Sequence, residues 1–169
     1  MAAQNLGTVQ SPILTVESDR LLIDSAFGKR LEQEFEADGA VLAAENRRIE
    51  AELTAEEKDL TERRPSMDAE AFRVLADAFD EKVREIRRTQ DAKARELTQR
   101  REANRVAYLN AVAPVLERMM RESGAAVILE RSSVFISANV IDITDTAIAR
   151  IDSVLGDGSH LIKRDEQAE

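Results

Sequence analysis

The sequence predicts a mostly helical α+β fold, in which a long antiparallel coiled-coil hairpin arm projects from a small β-rich oligomerisation body. Two long stretches of helix-forming residues flank a Pro-Ser-Met-Asp turn at 65–68, and short β-branched segments lie near both ends. Of the 169 residues, 34% are charged and only 4% are aromatic. This composition suits long helices better than a thick core.

The composition also excludes several classes of protein. The net charge is −9, and the chain has no Cys, no Trp and a single His. It therefore lacks a disulfide framework, a thiol nucleophile and a multi-His metal site, and because the single His lies near the C-terminus, no Ser/His/Asp triad is expected in the folded body. No run of 18 apolar residues could span a membrane, and the acidic balance argues against nucleic-acid binding. We expect no enzyme activity, no cofactor and no metal.

The first arm helix is predicted over 27–63. Its apolar residues recur every seven positions with one shift of four: Phe35, Leu42, Ile49, Leu53 and Leu60. This is the pattern of a coiled-coil seam that contains a stutter. Gly39 and the stutter near Leu53 indicate either a hinge or a local irregularity.

The second arm helix is predicted from 69 to about 123. Asp68 is a suitable N-cap, and Gly124 is a suitable C-terminal stop. Pro114 lies inside this helix and should kink it near Asn110. The arm therefore covers 27–122, with its tip near 64–68.

Length and charge both favour the hairpin. A helix of 37 residues is about 55 Å long, whereas a compact chain of this size is only roughly 40 Å across. Residues 32–62 hold 11 acidic and 3 basic side chains, and residues 82–105 hold 9 basic and 4 acidic ones. Folding the chain back at the turn pairs these complementary segments.

The body is predicted from 13–26 and 123–155. Residues 13–17 form one strand, and residues 125–130 and 133–137 form a β-hairpin through the two-residue loop Arg131-Ser132. A short helix capped by Asp142 and Asp145 follows and ends at Gly156.

The two ends of the chain are predicted to be disordered, over 1–12 and 156–169. The start also lacks the basic and apolar segments of a signal peptide.

Two sets of apolar residues are candidate contact sites. The body strands are too few to cover the apolar residues that alternate along them, so one face is expected to bury against another subunit; the alternative is a core within one chain. These oligomerisation candidates are Val127, Ile128, Leu129, Val134, Phe135 and Ile136.

Near the arm tip lies a second apolar set, which suits contact with a client protein. The alternative is that its phenylalanines close the coiled coil against Leu60 and Leu53. The client-contacting candidates are Met67, Phe72, Leu75 and Phe79.

Other charged residues have structural explanations beside functional ones. The arginine pairs at 87–88 and 100–101 indicate a phosphate or lipid patch, or simply a solvated helix face. Asp142 and Asp145 are explained by helix capping better than by metal or acid–base chemistry. His160 stands in a polar tail, where neither a ligand nor a catalytic role is favoured.

The order of elements resembles the Skp/OmpH family of periplasmic chaperones over residues 13–155. The most recognisable stretches are ILTVESDRLLIDSAF at 13–27, AAVILERSSVFIS at 125–137 and IDITDTAIARI at 141–151. The resemblance implies a jellyfish-like homotrimer, whose three arms enclose a cavity. It implies an ATP-independent holdase that keeps unfolded outer-membrane β-barrel proteins from aggregating in the periplasm, and a mature chain without its signal peptide.

Two observations qualify what the resemblance implies. No Gly-rich phosphate loop is present, in agreement with ATP independence. Residues 29–122 carry 19 basic and 22 acidic side chains, which does not favour contact with anionic membrane or lipopolysaccharide. The alternative functions are a coiled-coil adaptor that binds a folded partner through its arm tips, and a cytosolic chaperone of the prefoldin type.

Overall fold

The computed structural model describes residues 11–161. Its helices and strands are β1 (Ile13–Val16), α1 (Ser18–Asp24), α2 (Ala26–Arg63), α3 (Ala69–Glu122), β2 (Val127–Glu130) and α4 (Thr144–Leu155). Short 3-10 turns lie at Arg64–Ser66, Arg131–Ser133 and Asn139–Ile141. Within the described part, no helix is apolar over a span long enough to cross a bilayer.

The chain divides into two compact units. Unit 1 comprises the described residues 11–33 and 103–161, and unit 2 comprises residues 34–102. The division lies further along α2 and α3 than the sequence boundaries at 27 and 122, because both helices bury side chains in the core of unit 1. Leu31 on α2 and Tyr108 on α3 are examples.

Local chemistry sets the ends of the long helices, as the sequence predicts. The Asp68 carboxylate accepts hydrogen bonds from the backbone N–H groups of Glu70 and Ala71, at 3.1 and 3.3 Å, which confirms its role as a cap. Gly124 ends α3 with a φ of 70°, a conformation that favours glycine. Helix α3 continues through Pro114 and ends at Glu122.

The core of unit 1 is built around two aromatic rings. Phe27 and Tyr108 are both 0% exposed, and their ring centroids lie 5.2 Å apart. The Tyr108 hydroxyl donates to the Leu21 carbonyl, and its oxygen lies 3.0 Å from Ser25 Oγ, so the buried phenol is satisfied. The other members of this core are Val16, Leu21, Leu31, Val112, Val115, Met119, Ala147 and Ile151.

The sheet differs from the predicted β-hairpin. β2 pairs in parallel with β1, with Ile13 opposite Val127, and no strand is assigned over 133–137. A two-residue hairpin loop needs positive φ angles, which favour Gly or Asn, and the described chain has no non-glycine residue with positive φ. Arg131 and Ser132 instead enter a 3-10 turn, so the predicted third strand is wrong.

Residues 156–161 differ from the predicted disordered tail. The Arg30 Nε–H donates to the Asp157 carbonyl at 2.7 Å, and Gly158 is buried with a φ of 67°. A Cβ at Gly158 would lie 2.4 Å from the Phe27 ring, so this turn covers the aromatic core. The rest of that predicted tail, 162–169, and residues 1–10 of the predicted N-terminal tail lie outside the described residues.

Gly28 has no room for a side chain, and replacing it should destabilise the fold. Its built Cβ would lie 1.6 Å from the backbone oxygen of Leu22, so Gly28→Ala requires the backbone between α1 and α2 to move. We expect a loss of about 1–3 kcal/mol in the free energy of unfolding, measured by urea denaturation. Gly39→Ala is the matched control, because its Cβ meets only Leu97 Cδ2 at 4.0 Å and alanine is the better helix former. Equal stability of the two variants would contradict the prediction.

Candidate functional site

Unit 2 is a pair of helical segments without a fully buried core. None of its residues, 34–102, is buried. Its least exposed side chains are half-buried and follow one seam along the two helices. The apolar seam residues are Phe35, Leu42, Ile49, Leu53 and Leu60 on α2, with Phe72, Leu75, Phe79, Val83, Ile86 and Leu97 on α3. A single row of contacts of this kind is typical of a two-stranded coiled coil.

Ion pairs join the two helices of unit 2. Arg100 Nη1 lies 2.9 Å from Asp38 Oδ2, Lys93 Nζ lies 2.7 Å from Glu45 Oε1, and Lys82 Nζ contacts Glu56. These pairs confirm the predicted match of acidic and basic segments. The residue numbers in each pair add to the same total, so all three belong to one antiparallel register. We call this set the charge ladder.

The spacing of the charge ladder agrees with the predicted stutter. On α2 the acidic partners lie seven and then eleven residues apart, and eleven is one heptad plus a shift of four. The hydrogen bond from Lys93 holds the pKa of Glu45 below its ordinary value, and a weaker bond from Gln90 adds to this effect. Glu45 is therefore charged at neutral pH and available to the pair.

A groove of about 760 Å³ opens between the helices of unit 2. Its apolar lining consists of Ile49, Leu53, Phe79, Val83 and Ile86. Gln90, at one side of the groove, donates to Glu45 at 3.3 Å, but its buried Oε1 has no hydrogen-bond partner among the described residues. The groove therefore combines exposed apolar surface with a nearby acceptor that is buried and unsatisfied.

The predicted client-contacting residues are all half-buried in the isolated chain. Phe79 lines the groove together with Leu53. The Arg64 guanidinium lies 5.4 Å from the centre of the Phe72 ring, in a cation–π contact. Met67 and Leu75 are also half-buried, so all four combine packing with partial exposure.

The predicted oligomerisation residues divide into covered and exposed groups. Val127, Ile128 and Val134 are half-buried, and Ile128 packs against the core of unit 1. Phe135 is 99% exposed and Ile136 is 81% exposed. Leu129 and Val140 are also exposed, and we call these four residues the exposed apolar face.

The sheet leaves one backbone edge open. β1 pairs with β2 on one side and bridges to Asp142 on the other, where the Ile143 N–H donates to the Thr15 carbonyl at 3.0 Å. The outer edge of β2 pairs with no other strand in the described chain. A two-stranded sheet is marginal by itself, so this edge and the exposed face together suit a further layer of protein.

Arg131 joins the turn after β2 to two other segments of unit 1. It donates to Glu17 at 3.0 Å and to Asn139 at 3.1 Å, and it pairs with Asp142. Burial pushes the pKa of Asp142 upward, but hydrogen bonds from Thr144 and the charge of Arg131 outweigh it and keep the pKa below its ordinary value. This cluster was not predictable from the sequence, because Glu17 lies 114 residues from Arg131 along the chain.

Glu130, which precedes Arg131, is held by α1. Its carboxylate accepts from the Ser18 hydroxyl and, at 3.0 Å, from the Ser18 backbone N–H. The hydrogen bond from the Ser18 hydroxyl is the largest cause that lowers the pKa of Glu130. The charged form is thus stabilised in the folded protein.

Acid should therefore destabilise unit 1. Because the pKa values of Glu130 and Asp142 are lower in the folded protein, their contribution is present above the unfolded values near 4 and is lost as the pH falls through the folded values. Urea denaturation at several pH values should show Glu130→Gln less stable than wild type at pH 7, with the difference shrinking below about pH 4. A difference that is independent of pH would contradict this prediction.

The remaining charged candidates have structural partners. Arg88 pairs with Glu85, Arg100 belongs to the charge ladder, and the Arg101 guanidinium lies 4.4 Å from the centre of the Phe35 ring. Asp142 accepts from the Thr144 N–H at 2.9 Å just before α4 begins, although the N-cap position itself is Ile143, and Asp145 in the first turn of α4 pairs with Arg20 at 2.8 Å. His160 is exposed, and the described residues hold no acidic or histidine cluster that could bind a metal.

These features define a class of helical-hairpin protein, with a long two-helix seam and a small parallel sheet beside an exposed apolar face. The family model described as outer membrane protein (OmpH-like) matches residues 12–151, and the chain belongs to this family. The resemblance stated from the sequence is thereby confirmed.

The fold is shared with a solved structure. It is a crystal structure of a candidate outer membrane chaperone (OmpH-like) from Caulobacter crescentus CB15, with a TM-score of 0.83 and 18% sequence identity. The alignment covers 92% of this chain and 93% of that chain. No curated protein matches the sequence.

Proposed function

We propose that this protein is an ATP-independent holdase chaperone of the periplasm, which binds unfolded outer-membrane β-barrel proteins between its helical arms and prevents their aggregation. The proposal includes no covalent chemistry and no cofactor. Membership of the OmpH-like family supports it, as does the described chaperone character of the structural neighbour.

The observation that carries the proposal is the state of the seam in unit 2. Its apolar side chains are half-exposed rather than buried, and no residue of this unit lies in a core. A surface of this kind supports many weak contacts with an unfolded chain, and several arms that act together multiply weak affinities. Met67 and Phe72 near the tip extend this surface.

The exposed apolar face of unit 1 supports assembly into a homotrimer. A fully exposed phenylalanine beside an exposed isoleucine is costly in water, and burial against a second copy removes that cost. Closed symmetric rings are the usual way to satisfy such surfaces without forming open fibres. Three copies would also supply the several arms on which multivalent holding depends.

A light-scattering assay tests the proposed activity. An outer-membrane β-barrel protein is diluted from urea with or without one trimer equivalent of this protein. The holdase should suppress the rise in scattering in buffer that contains no nucleotide. Scattering that is unchanged at stoichiometric trimer would contradict the proposal.

The same client in its folded state provides the control. A holdase binds the unfolded chain and leaves the detergent-folded barrel unbound, because only the unfolded chain exposes extended apolar segments. Selective binding of one folded protein with no effect on unfolded clients would instead support the coiled-coil adaptor.

A further inference from the structure

The charge ladder is the most regular polar feature of unit 2. It places Asp38, Glu45 and Glu56 of α2 opposite Arg100, Lys93 and Lys82 of α3, in one register. Two of the acidic side chains, Asp38 and Glu45, are only 22% and 28% exposed, so they lie at the seam rather than on the outer surface. The pairs therefore connect the two helices directly across the seam.

The charge ladder should contribute a large share of the stability of the helix pair, because unit 2 has no buried core. Exposed ion pairs usually contribute little to stability, since water and salt screen them. In most proteins a buried core contributes far more to stability than such pairs do, but no residue of unit 2 is buried. Small electrostatic contributions can therefore decide how often the two helices separate.

We propose that the charge ladder is a latch that keeps the seam of unit 2 covered, and that opening of the latch presents the seam to an extended apolar segment of an unfolded polypeptide. This inference rests on the proposed holdase function. It adds that the seam itself, near the middle of the arm, is a binding surface and that the ladder regulates access to it.

The chemistry of the groove argues for that occupant. Its apolar lining includes Phe79 and Ile86 on α3 and Ile49 and Leu53 on α2. Gln90 Oε1 is buried in the closed seam, and once the seam opens it is suited to accept a backbone N–H, which an extended chain carries and a folded surface has already used. The charged lining consists of four acidic side chains, Glu50, Glu57, Asp80 and Asp91, and two basic ones, Arg84 and Arg87, so the site suits apolar or basic client segments better than acidic ones.

Charge reversal tests the latch. Lys93→Glu places two carboxylates opposite each other at Glu45, and the double variant Glu45→Lys with Lys93→Glu restores an opposite pair in reversed order. At low ionic strength, we expect the single variant to raise amide-exchange rates along the seam by about threefold to tenfold, and the double variant to return them to wild type. The affinity for an unfolded β-barrel client should increase in the single variant and return to the wild-type value in the double variant.

Arg88→Glu is the matched control. It changes the net charge of the chain by the same amount, but Arg88 pairs with Glu85 within its own helix. Exchange rates along the seam and client affinity should therefore stay close to wild type. Circular dichroism of every variant confirms that helix content is retained.

The outcomes distinguish this inference from the proposed function. Suppose that the wild type holds client. The latch proposal is then contradicted if Lys93→Glu changes neither the amide-exchange rates nor the client affinity, or if the double variant does not restore both to wild-type values. If the single variant self-associates and gains no client affinity, a second copy is the occupant and the proposed occupant is wrong. A wild type that holds no client overturns the holdase, while the exchange data still decide whether the ladder closes the seam.

Discussion

Phe27→Ala is expected to lower the free energy of unfolding by about 3–5 kcal/mol, the range for removing a buried aromatic ring. The ring is fully buried, contacts Tyr108 and lies beneath the turn at Gly158. The Arg30 guanidinium also lies 5.4 Å from its centre. Because α1, α2, α3 and α4 all pack in this core, truncation leaves a cavity that no single element can fill.

Urea denaturation at fixed protein concentration measures this effect. Phe72→Ala is the matched control, since it removes the same ring from a half-buried position in unit 2. We expect a loss of about 1 kcal/mol or less there, because less apolar surface returns to water. Similar losses for the two variants would show that the core of unit 1 is not centred on Phe27.

The double variant Phe135→Asp with Ile136→Asp is expected to dissociate the proposed homotrimer. These side chains are 99% and 81% exposed in the isolated chain, and two carboxylates at a buried apolar interface lose their hydration. We expect the dissociation constant for assembly to rise by about 100-fold or more, as for the loss of two interface hot spots. The fold of unit 1 should persist, because neither side chain belongs to its core.

Sedimentation equilibrium over a range of concentrations measures this change. Val74→Asp is the control, because Val74 is an exposed apolar residue of unit 2, 60% exposed, outside the proposed interface. It should leave the assembly state of the wild type intact. A double variant that assembles as the wild type does would place the interface elsewhere.

The helix boundaries were predictable from the sequence because local chemistry determines them. Asp68 caps its own helix within three residues, and the glycines at 124 and 156 end helices through their own positive φ. The complementary charges of the two arm segments were equally visible in the sequence. Their register was not, because it depends on how the turn at 64–66 closes and on where the stutter falls.

The sheet was not predictable by the same means. β1 and β2 are separated by more than a hundred residues, and no local signal distinguishes their parallel pairing from a hairpin that follows β2. The contacts that decide the matter link distant segments, such as Ser18 to Glu130 and Arg131 to Glu17. For the candidate sites, the sequence supplied the apolar residues, but it did not supply the groove or the unpartnered Gln90 acceptor.

Native mass spectrometry tests the holdase function most directly, with the protein alone and after addition of a urea-diluted outer-membrane β-barrel protein. The proposed function predicts a species at three times the monomer mass and a second species that is heavier by one client. A trimer that binds no client would agree with the proposed assembly and contradict the proposed holdase function. A compact monomer in both samples would contradict the proposed assembly as well.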